Sequence, residues 1–303
     1  MDRVTGVLHA VVPAGIDDPA RPSGGNRYDR RLLDELAGRG RRVHERHAAG
    51  AWPQPSPADR VALDRLLGEV PDGSPVLIDG LIACAAAPVV SAHTGRLRVV
   101  VLLHMPLGTA AERDLLPRCA AVVTSSRWVA GRLRDDGLVP GDRPGPAVPL
   151  VVAEPGVDPA APISPSAGGG RLLAVAVLAP HKGQDVLIAA LHRIADLPWT
   201  CTVAGSPAID PGFAGRLRTA AAGLGDRVRF VGPLTGPELD RAYAAADLLV
   251  HPSRSETYGM VLTEALARAI PVVATDVGGI PDAVGWDASG RRPGRLVAPD
   301  DDR

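Results

Sequence analysis

Lysine and asparagine are almost absent from this chain. Of its 33 lysine and arginine residues only Lys182 is lysine, and Asn26 is the only asparagine. Arginine, alanine, glycine and proline are used heavily instead, as in a GC-rich coding sequence. A lysine that persists against that bias hints at a task arginine does not fill. Aromatic residues make up 3% of the 303 residues while 46% are hydrophobic, so the core must be built mostly of Ala, Val and Leu. The three cysteines, Cys84, Cys119 and Cys201, are odd in number and sit in apolar surroundings. They argue for reduced, buried thiols and against a disulfide framework. A net charge of −1 gives no whole-chain field for nucleic acid. There is no cleavable signal pattern and no apolar run of membrane-spanning length, so a cytoplasmic protein is expected. With neither an HExxH motif nor a Cys/His cluster, no zinc site is expected.

What is present is alternation. Strands are predicted at Val4 to Val12, 76–79, Arg98 to Leu103, 121–124, 148–153, Leu172 to Leu178, 200–204, 227–231, Leu248 to Val250, Pro271 to Thr275 and 295–298. Helices are predicted at about 27–38, 57–68, 81–91, 109–117, 126–135, 183–195, 211–222 and 235–245. Such alternation implies parallel sheets with helices on both faces. The length suggests two domains. Pro155 to Gly170, with Pro, Ala, Ser and three consecutive glycines, reads as the connection between them. The expected division is a front domain over 1–157, a linker over 158–170 and a rear domain over 171–303.

The stretch 251–285 is the most informative. A strand ends at Pro252, Glu256 stands in the loop beyond it, and a helix predicted to start near Tyr258 carries Glu264. The next strand ends in Gly278-Gly279. An acid in the loop and another on the helix, at a strand's C-terminal end, mark a ligand site. Free amides at the start of such a helix favour an anion. Eight positions along a helix span roughly 12 Å, more than the ~5–9.5 Å of paired glycosidase carboxylates. Glu256 and Glu264 therefore suit two separate acceptors for the hydroxyls of one long ligand. Taken alone, the spacing also suits a helix-start charge and a solvated helix residue. Lys182 sits at another strand-to-helix turn, where a compact charge suits phosphate; a solvated loop lysine is the alternative.

Pro252-Ser253, Glu256, Tyr258-Gly259-Met260, Glu264-Ala265, Pro271-Val272 and Gly278-Gly279 together resemble the donor-binding signature of family 4 of the retaining GT-B glycosyltransferases. The resemblance implies an α/β fold of GT-B type: two Rossmann-like, doubly wound parallel-sheet domains with the ligand cleft between them. It implies that Glu256 touches the transferred sugar and Glu264 the ribose hydroxyls. Thr257, Tyr258, Gly259, Met260 and Val261 would meet sugar and phosphate oxygens, and Lys182 the diphosphate. The family carries an Arg five residues before this Lys-Gly, where the chain has Val177; Arg254, Arg127 and His181 are candidates for the second charge. Asp282 stands where the family usually has Glu. Pro155-Gly156-Val157-Asp158 resembles the family's hinge without its Asn.

In the front half, the first strand leads into Pro22-Ser23-Gly24-Gly25-Asn26 and a helix. Glycines let a backbone approach a bulky ligand, and Asn26 fits an N-cap; a plain loop and cap fit as well. By resemblance, Gly24 and Gly25 match the family's glycine pair that lets the phosphates pass. His104 follows the strand Arg98 to Leu103, a position that points to the ligand crevice or holds a structural hydrogen bond. By resemblance it contacts the sugar near the reacting carbon. None of the other seven histidines is read as having a comparable setting. Arg30, Arg31, Arg39, Arg41, Arg42 and Arg46, interleaved with Asp29, Asp34, Glu35 and Glu45, read as a solvated helix face. Contact with a membrane surface or an anionic acceptor is the sharper alternative.

The expectation is a retaining glycosyltransferase that moves a sugar from a nucleoside diphosphate donor to a small-molecule, glycan or lipid-linked acceptor. His104, Lys182 and Glu256 form its catalytic set, with no metal and no cofactor beyond the donor itself. An epimerase on the same fold and a non-catalytic nucleotide-sugar binder or partner subunit are the rivals. The chain stops at Asp300-Asp301-Asp302-Arg303, where relatives continue with several helices. A rear sheet short of covering helices, prone to self-association, is expected.

Overall fold

Runs of Val, Leu and Ala that are covered by helices on both faces form the strands. The computed structural model describes residues 6–20, 22–138 and 148–299. The front elements are β1 (Leu8–Pro13), α1 (Gly24–Gly38), β2 (Val43–Ala48), α2 (Pro57–Gly68), β3 (Pro75–Asp79), α3 (Gly80–Ala85), α4 (Ala87–His93), β4 (Arg98–Leu103), α5 (Ala110–Leu115), β5 (Ala121–Thr124), α6 (Arg127–Asp135) and β6 (Leu150–Val152). The six strands are parallel, in the order β2-β1-β3-β4-β5-β6. Val76, Ile78, Val99 and Val101 pack on Leu63, Leu67, Ile82 and Leu133. Ala10, Val12 and Leu33 form a smaller second cluster.

The rear elements are β7 (Arg171–Val175), α7 (Gln184–Arg193), β8 (Thr200–Ala204), α8 (Pro211–Ala221), β9 (Val228–Gly232), α9 (Gly236–Ala244), β10 (Leu248–His251), α10 (Met260–Ala267), β11 (Val272–Thr275), α11 (Ile280–Val284) and β12 (Gly294–Val297). Their order is β12-β11-β10-β7-β8-β9, again all parallel. This is the strand order of dinucleotide-binding folds, and it reverses between β7 and β10. Leu248 lies beside Leu172 and Leu249 beside Leu173, so the loops after β7 and β10 leave neighbouring strands on the same side of the sheet. Cys201, Val203, Ile188, Leu191 and Leu217 form one core cluster; Leu249, Val272, Leu262, Ala265 and Tyr243 form another. By packing, the chain divides into one unit up to Asp17 together with Gly24–Pro155, and a second of Asp18–Ser23 together with the residues from Gly156 on.

Several elements differ from the sequence reading. β2 was not predicted: its sequence, VHERHA, lacks an apolar run. It is an edge strand paired only with β1, and charge is what edge strands carry. The Arg30–Arg46 stretch is therefore no single helix face. Arg30 on α1 is ion-paired with Asp17 and Glu45 at 2.9 and 2.8 Å, and Arg46 on β2 pairs with Glu69 at 3.1 Å. The helix expected over 81–91 breaks at Ala86 (φ −118°, ψ 34°), just before Pro88, which cannot continue the preceding turn. α1 begins at Gly24, so Asn26 lies inside its first turn and is not its N-cap. α10 begins at Met260, two residues beyond Tyr258. α11 was not anticipated. Val4 and Thr5 of the first predicted strand, and Asp300–Arg303, lie outside the described residues.

Ile163 N donates to Arg268 O at 2.8 Å, and Ser166 bonds the Asp247 carboxylate through N at 2.6 Å and Oγ at 2.7 Å. The irregular segment between the sheets is thus fastened to the rear unit. Cys84, Cys119 and Cys201 are buried and unpaired, and burial pushes the Cys119 and Cys201 thiols up to about 12. No helix among the described residues is long and apolar enough to cross a membrane.

Candidate functional site

The loops after β7 and β10 are joined by their backbones. Arg254 N and Ser255 N both donate to His181 O, at 2.9 and 3.4 Å. This brings Lys182 Nζ within 2.6 Å of Glu256 Oε2. The same oxygen lies 3.0 Å from Nε2 of His251, the last residue of β10, and that nitrogen is 3.0 Å from Ser253 Oγ. Thr257 N donates to Glu256 Oε1 at 3.1 Å. Burial opposes the Glu256 charge, but the His251 hydrogen bond and the Lys182 ammonium outweigh it. They hold the carboxyl well below the usual carboxylate range. Lys182 and Glu256, expected at phosphate and sugar separately, are partners of each other, with side chains 18% and 12% exposed.

His251 corrects the sequence reading. It closes an apolar strand just as His104 follows one, so the sequence carries the same signal at both positions. Gly278 holds the floor of the loop. Its φ is +57°, and a Cβ there would sit 1.8 Å from Glu256 O, so only glycine allows the approach. Gly279 N then donates to Glu256 O at 3.0 Å.

Glu264, on α10, is buried and accepts a hydrogen bond from Tyr243 Oη at 2.8 Å. The Arg268 guanidinium lies 4.8 Å over the same Tyr243 ring. Between Glu256 and this helix run Thr257, the buried Tyr258 and Gly259, which starts α10 in the left-handed conformation; Met260 and Val261 form its first turn. Val177 O accepts from Gln184 Nε2 at 2.8 Å. Of the three candidates for a second charge, Arg254 is bound bidentately to Asp185 at 2.7 and 2.9 Å and to Pro180 O at 2.9 Å. Arg127 belongs to the front unit and lies 3.3 Å from Glu154. Burial and the Lys182 charge lower the His181 pKa. Both arginines are thus paired with a carboxylate, and His181 is biased towards its neutral form.

The front unit gathers a separate set. Gly24 and Gly25 open α1, and a Cβ on Gly25 would meet His104 Cδ2 at 3.3 Å. His104, one residue past β4, places Nε2 2.6 Å from Asp29 Oδ1. The Tyr28 ring meets it edge-on at 5.1 Å. Asp79 closes β3, and its Oδ1 caps α3 by accepting from Leu81 N and Ile82 N. Ligand atoms of Asp29, Asp79 and His104 lie within 4.8 Å of one another, the spacing a metal ion could bridge. Here Asp79 Oδ1 is committed to backbone amides and His104 Nε2 to Asp29, so protons and hydrogen bonds already serve the group. Burial and the Asp29 charge push the Asp79 carboxyl up to about 7. For His104 burial opposes the charged form, but Asp29 and Asp79 outweigh it and raise its pKa.

Residues 169–303 match the protein family described as Glycosyl transferases group 1. A D-inositol 3-phosphate glycosyltransferase of Salinispora tropica is 39% identical over 207 residues, 59% of this chain and 41% of that protein. The chain spans less than half the length of the curated relatives it matches. Among solved structures, the sucrose-phosphate synthase of Thermosynechococcus elongatus superposes with a TM-score of 0.70 at 22% identity, over 97% of this chain and 86% of that one. The HepE protein of Anabaena in complex with UDP and glucose gives 0.67 at 20% identity, with the same coverage. These likenesses are of fold.

Proposed function

On the premise that residues 169–303 form a glycosyl transferase group 1 domain in a chain of GT-B fold, we propose that this protein transfers a sugar from a nucleoside diphosphate donor to an acceptor with retention of configuration. The observation that carries the reading is the meeting of Lys182 and Glu256 in the loops after β7 and β10, where the strand order reverses and doubly wound sheets bind ligands. Lys182 takes up the charge that develops on the leaving diphosphate, together with the amides at the start of α10. Glu256 accepts a hydroxyl of the transferred sugar and Glu264 the ribose hydroxyls. In the front unit Gly24 and Gly25 give the phosphates room, and His104 contacts the sugar. The scheme assigns no metal. Retention by a front-face route suits a set of residues without a dedicated nucleophile.

A structural neighbour solved with UDP and glucose supports a nucleotide-sugar donor. The test is a thermal-shift and calorimetry panel of UDP, GDP and ADP sugars, followed by turnover with an acceptor panel. A ligand at 100 times its Kd stabilises by about 2.7 kcal/mol. Product is expected only when donor and acceptor are both present; product from donor alone would identify an epimerase. Turnover is expected to survive a chelator; its loss, with recovery on adding Mg²⁺ or Mn²⁺, would overturn the metal-free scheme. A second reading, a nucleotide-sugar binder without turnover, draws on Val177 and on the engagement of Arg254 by Asp185. Donor binding without product across the acceptor panel would establish it.

A further inference from the structure

We propose that Asp29 is a positioning residue for His104: its Oδ1 holds the Nε2–H, which leaves Nδ1 as the nitrogen offered to a ligand, and Asp79 supplies the proton that Asp29 Oδ2 requires. The inference rests on His104 facing the sugar, as proposed above, and defines which hydrogen bond it presents there.

Three neighbours fix the ring. Asp29 Oδ1 lies 2.6 Å from Nε2, Tyr28 stands edge-on at 5.1 Å, and Gly25 leaves just the space that the Cδ2 edge occupies. Tyr28 is itself anchored by its hydroxyl, which donates to Ala153 O at 2.8 Å. Nδ1 makes no hydrogen bond among the described residues, and the His104 side chain keeps 14% exposure. The free nitrogen and the remaining exposure belong to one ring, as a ligand contact requires.

Beneath it lies an unbalanced carboxylate. Asp29 is 2% exposed, and its Oδ2 is buried with no donor among the described residues. A buried carboxylate oxygen left that way is costly. Asp79 is the side chain placed to correct this. Its Oδ1 is occupied by two amides, and a proton on its carboxyl makes a hydrogen bond to Asp29. As two anions the pair has no donor between them; with one proton it has. Two further ionisable groups near the cluster are held neutral: burial holds the Tyr28 phenol at about 12 and raises the Cys84 thiol on α3. The cluster then holds one imidazolium, one carboxylate and one carboxylic acid. In that state Nδ1–H donates to the ligand. Once the imidazolium loses its proton, Nε2–H stays on Asp29 and Nδ1 becomes an acceptor.

The experiment is a pH titration of ¹⁵N-histidine-labelled full chain by NMR, with His104→Ala to assign the signal, in wild type, Asp29→Asn and Asp79→Asn. In wild type His104 is expected to remain imidazolium above the ordinary histidine value of about 6.5 and to be Nε2-protonated when neutral. Asp29→Asn is expected to lower its titration by at least one pH unit and to shift the pH profile of kcat. Asp79→Asn is expected to lower the titration much less than Asp29→Asn does, because only the smallest of the raising contributions is lost, while an Asn amide donates permanently to Asp29 and caps a helix as well as Asp does. The wild-type spectrum decides even if a variant fails to fold: a neutral His104 with the proton on Nδ1 overturns the proposal. So does an Asp29→Asn titration that does not move, or an Asp79→Asn shift as large as that of Asp29→Asn. Absence of turnover in wild type would undo the proposed transferase and leave the titration as a valid test of this cluster.

Discussion

The Glu256 carboxylate accepts three hydrogen bonds, from Lys182, His251 and Thr257 N, and its contact with Lys182 changes what single substitutions should do. Lys182→Ala is expected to weaken a nucleoside diphosphate far more than the bare nucleoside. A lost charge-assisted bond is worth about 1.5–3 kcal/mol, roughly tenfold to a hundredfold in Kd. Equal losses on both ligands by calorimetry would remove Lys182 from the phosphate site. Glu256→Gln releases Lys182 from its carboxylate partner. The free diphosphate should then bind as well as before or more tightly, while the full donor loses affinity or turnover. If Glu256→Gln weakens the bare diphosphate as Lys182→Ala does, Glu256 serves to hold the lysine and does not contact the sugar. Glu264→Gln should lower affinity for both ligands alike, since the ribose is common to them and prefers a charged acceptor.

At the scale of elements, the rear site is an assembly of loops whose backbones meet most closely at glycines: a Cβ on Gly183 would sit 1.9 Å from Pro252 O. Gly278→Ala adds a methyl 1.8 Å from Glu256 O at φ +57°. Left-handed backbone costs an L-residue about 1–2 kcal/mol, and forced overpacking about 1–3 more. A loss of about 2–5 kcal/mol is expected, measurable by urea denaturation. A variant as stable as wild type would mean that the loop after β11 is not pinned to Glu256. Helix ends follow the same local logic. α2 starts at a reciprocal Ser56–Asp59 capping box with proline in its first turn, and its predicted range matches the observed one.

At the scale of the molecule, the two units answer pH with opposite sign. In the rear unit the folded Glu256 pKa is depressed, so its contribution is present above the unfolded value of about 4.5 and is lost as pH falls below it. In the front unit the folded Asp79 pKa is raised from 3.8 to about 7. Its contribution is full below about 4 and is lost as pH rises to about 7, by up to about 1.4 kcal/mol per pH unit. Calorimetric melts of wild type and Asp79→Asn between pH 4 and 8 test this. The variant should lose the decline between pH 4 and 7 and leave the acid-side loss in place. Parallel curves would show that Asp79 ionises normally.

The sequence by itself determined the parts that depend on local pattern. Buried parallel strands are continuous apolar runs, so β4 and β5 lie where they were predicted. Turn glycines and strand-end motifs located the loops bearing Lys182, Glu256 and His104. β2 escaped because an edge strand needs no apolar run, and the break at Ala86 because one proline interrupts an otherwise helical pattern. Tertiary structure alone decided which residues meet. Lys182 and Glu256 are 74 positions apart, Asp29 and His104 are 75, and periodicity carries no information over such distances. Their contacts follow from strand order: β10 lies beside β7, and α1, β3 and β4 converge at one end of the front sheet. Asp29 looked like one charge on a solvated helix face. Only burial beside Asp79 makes it a partner for His104.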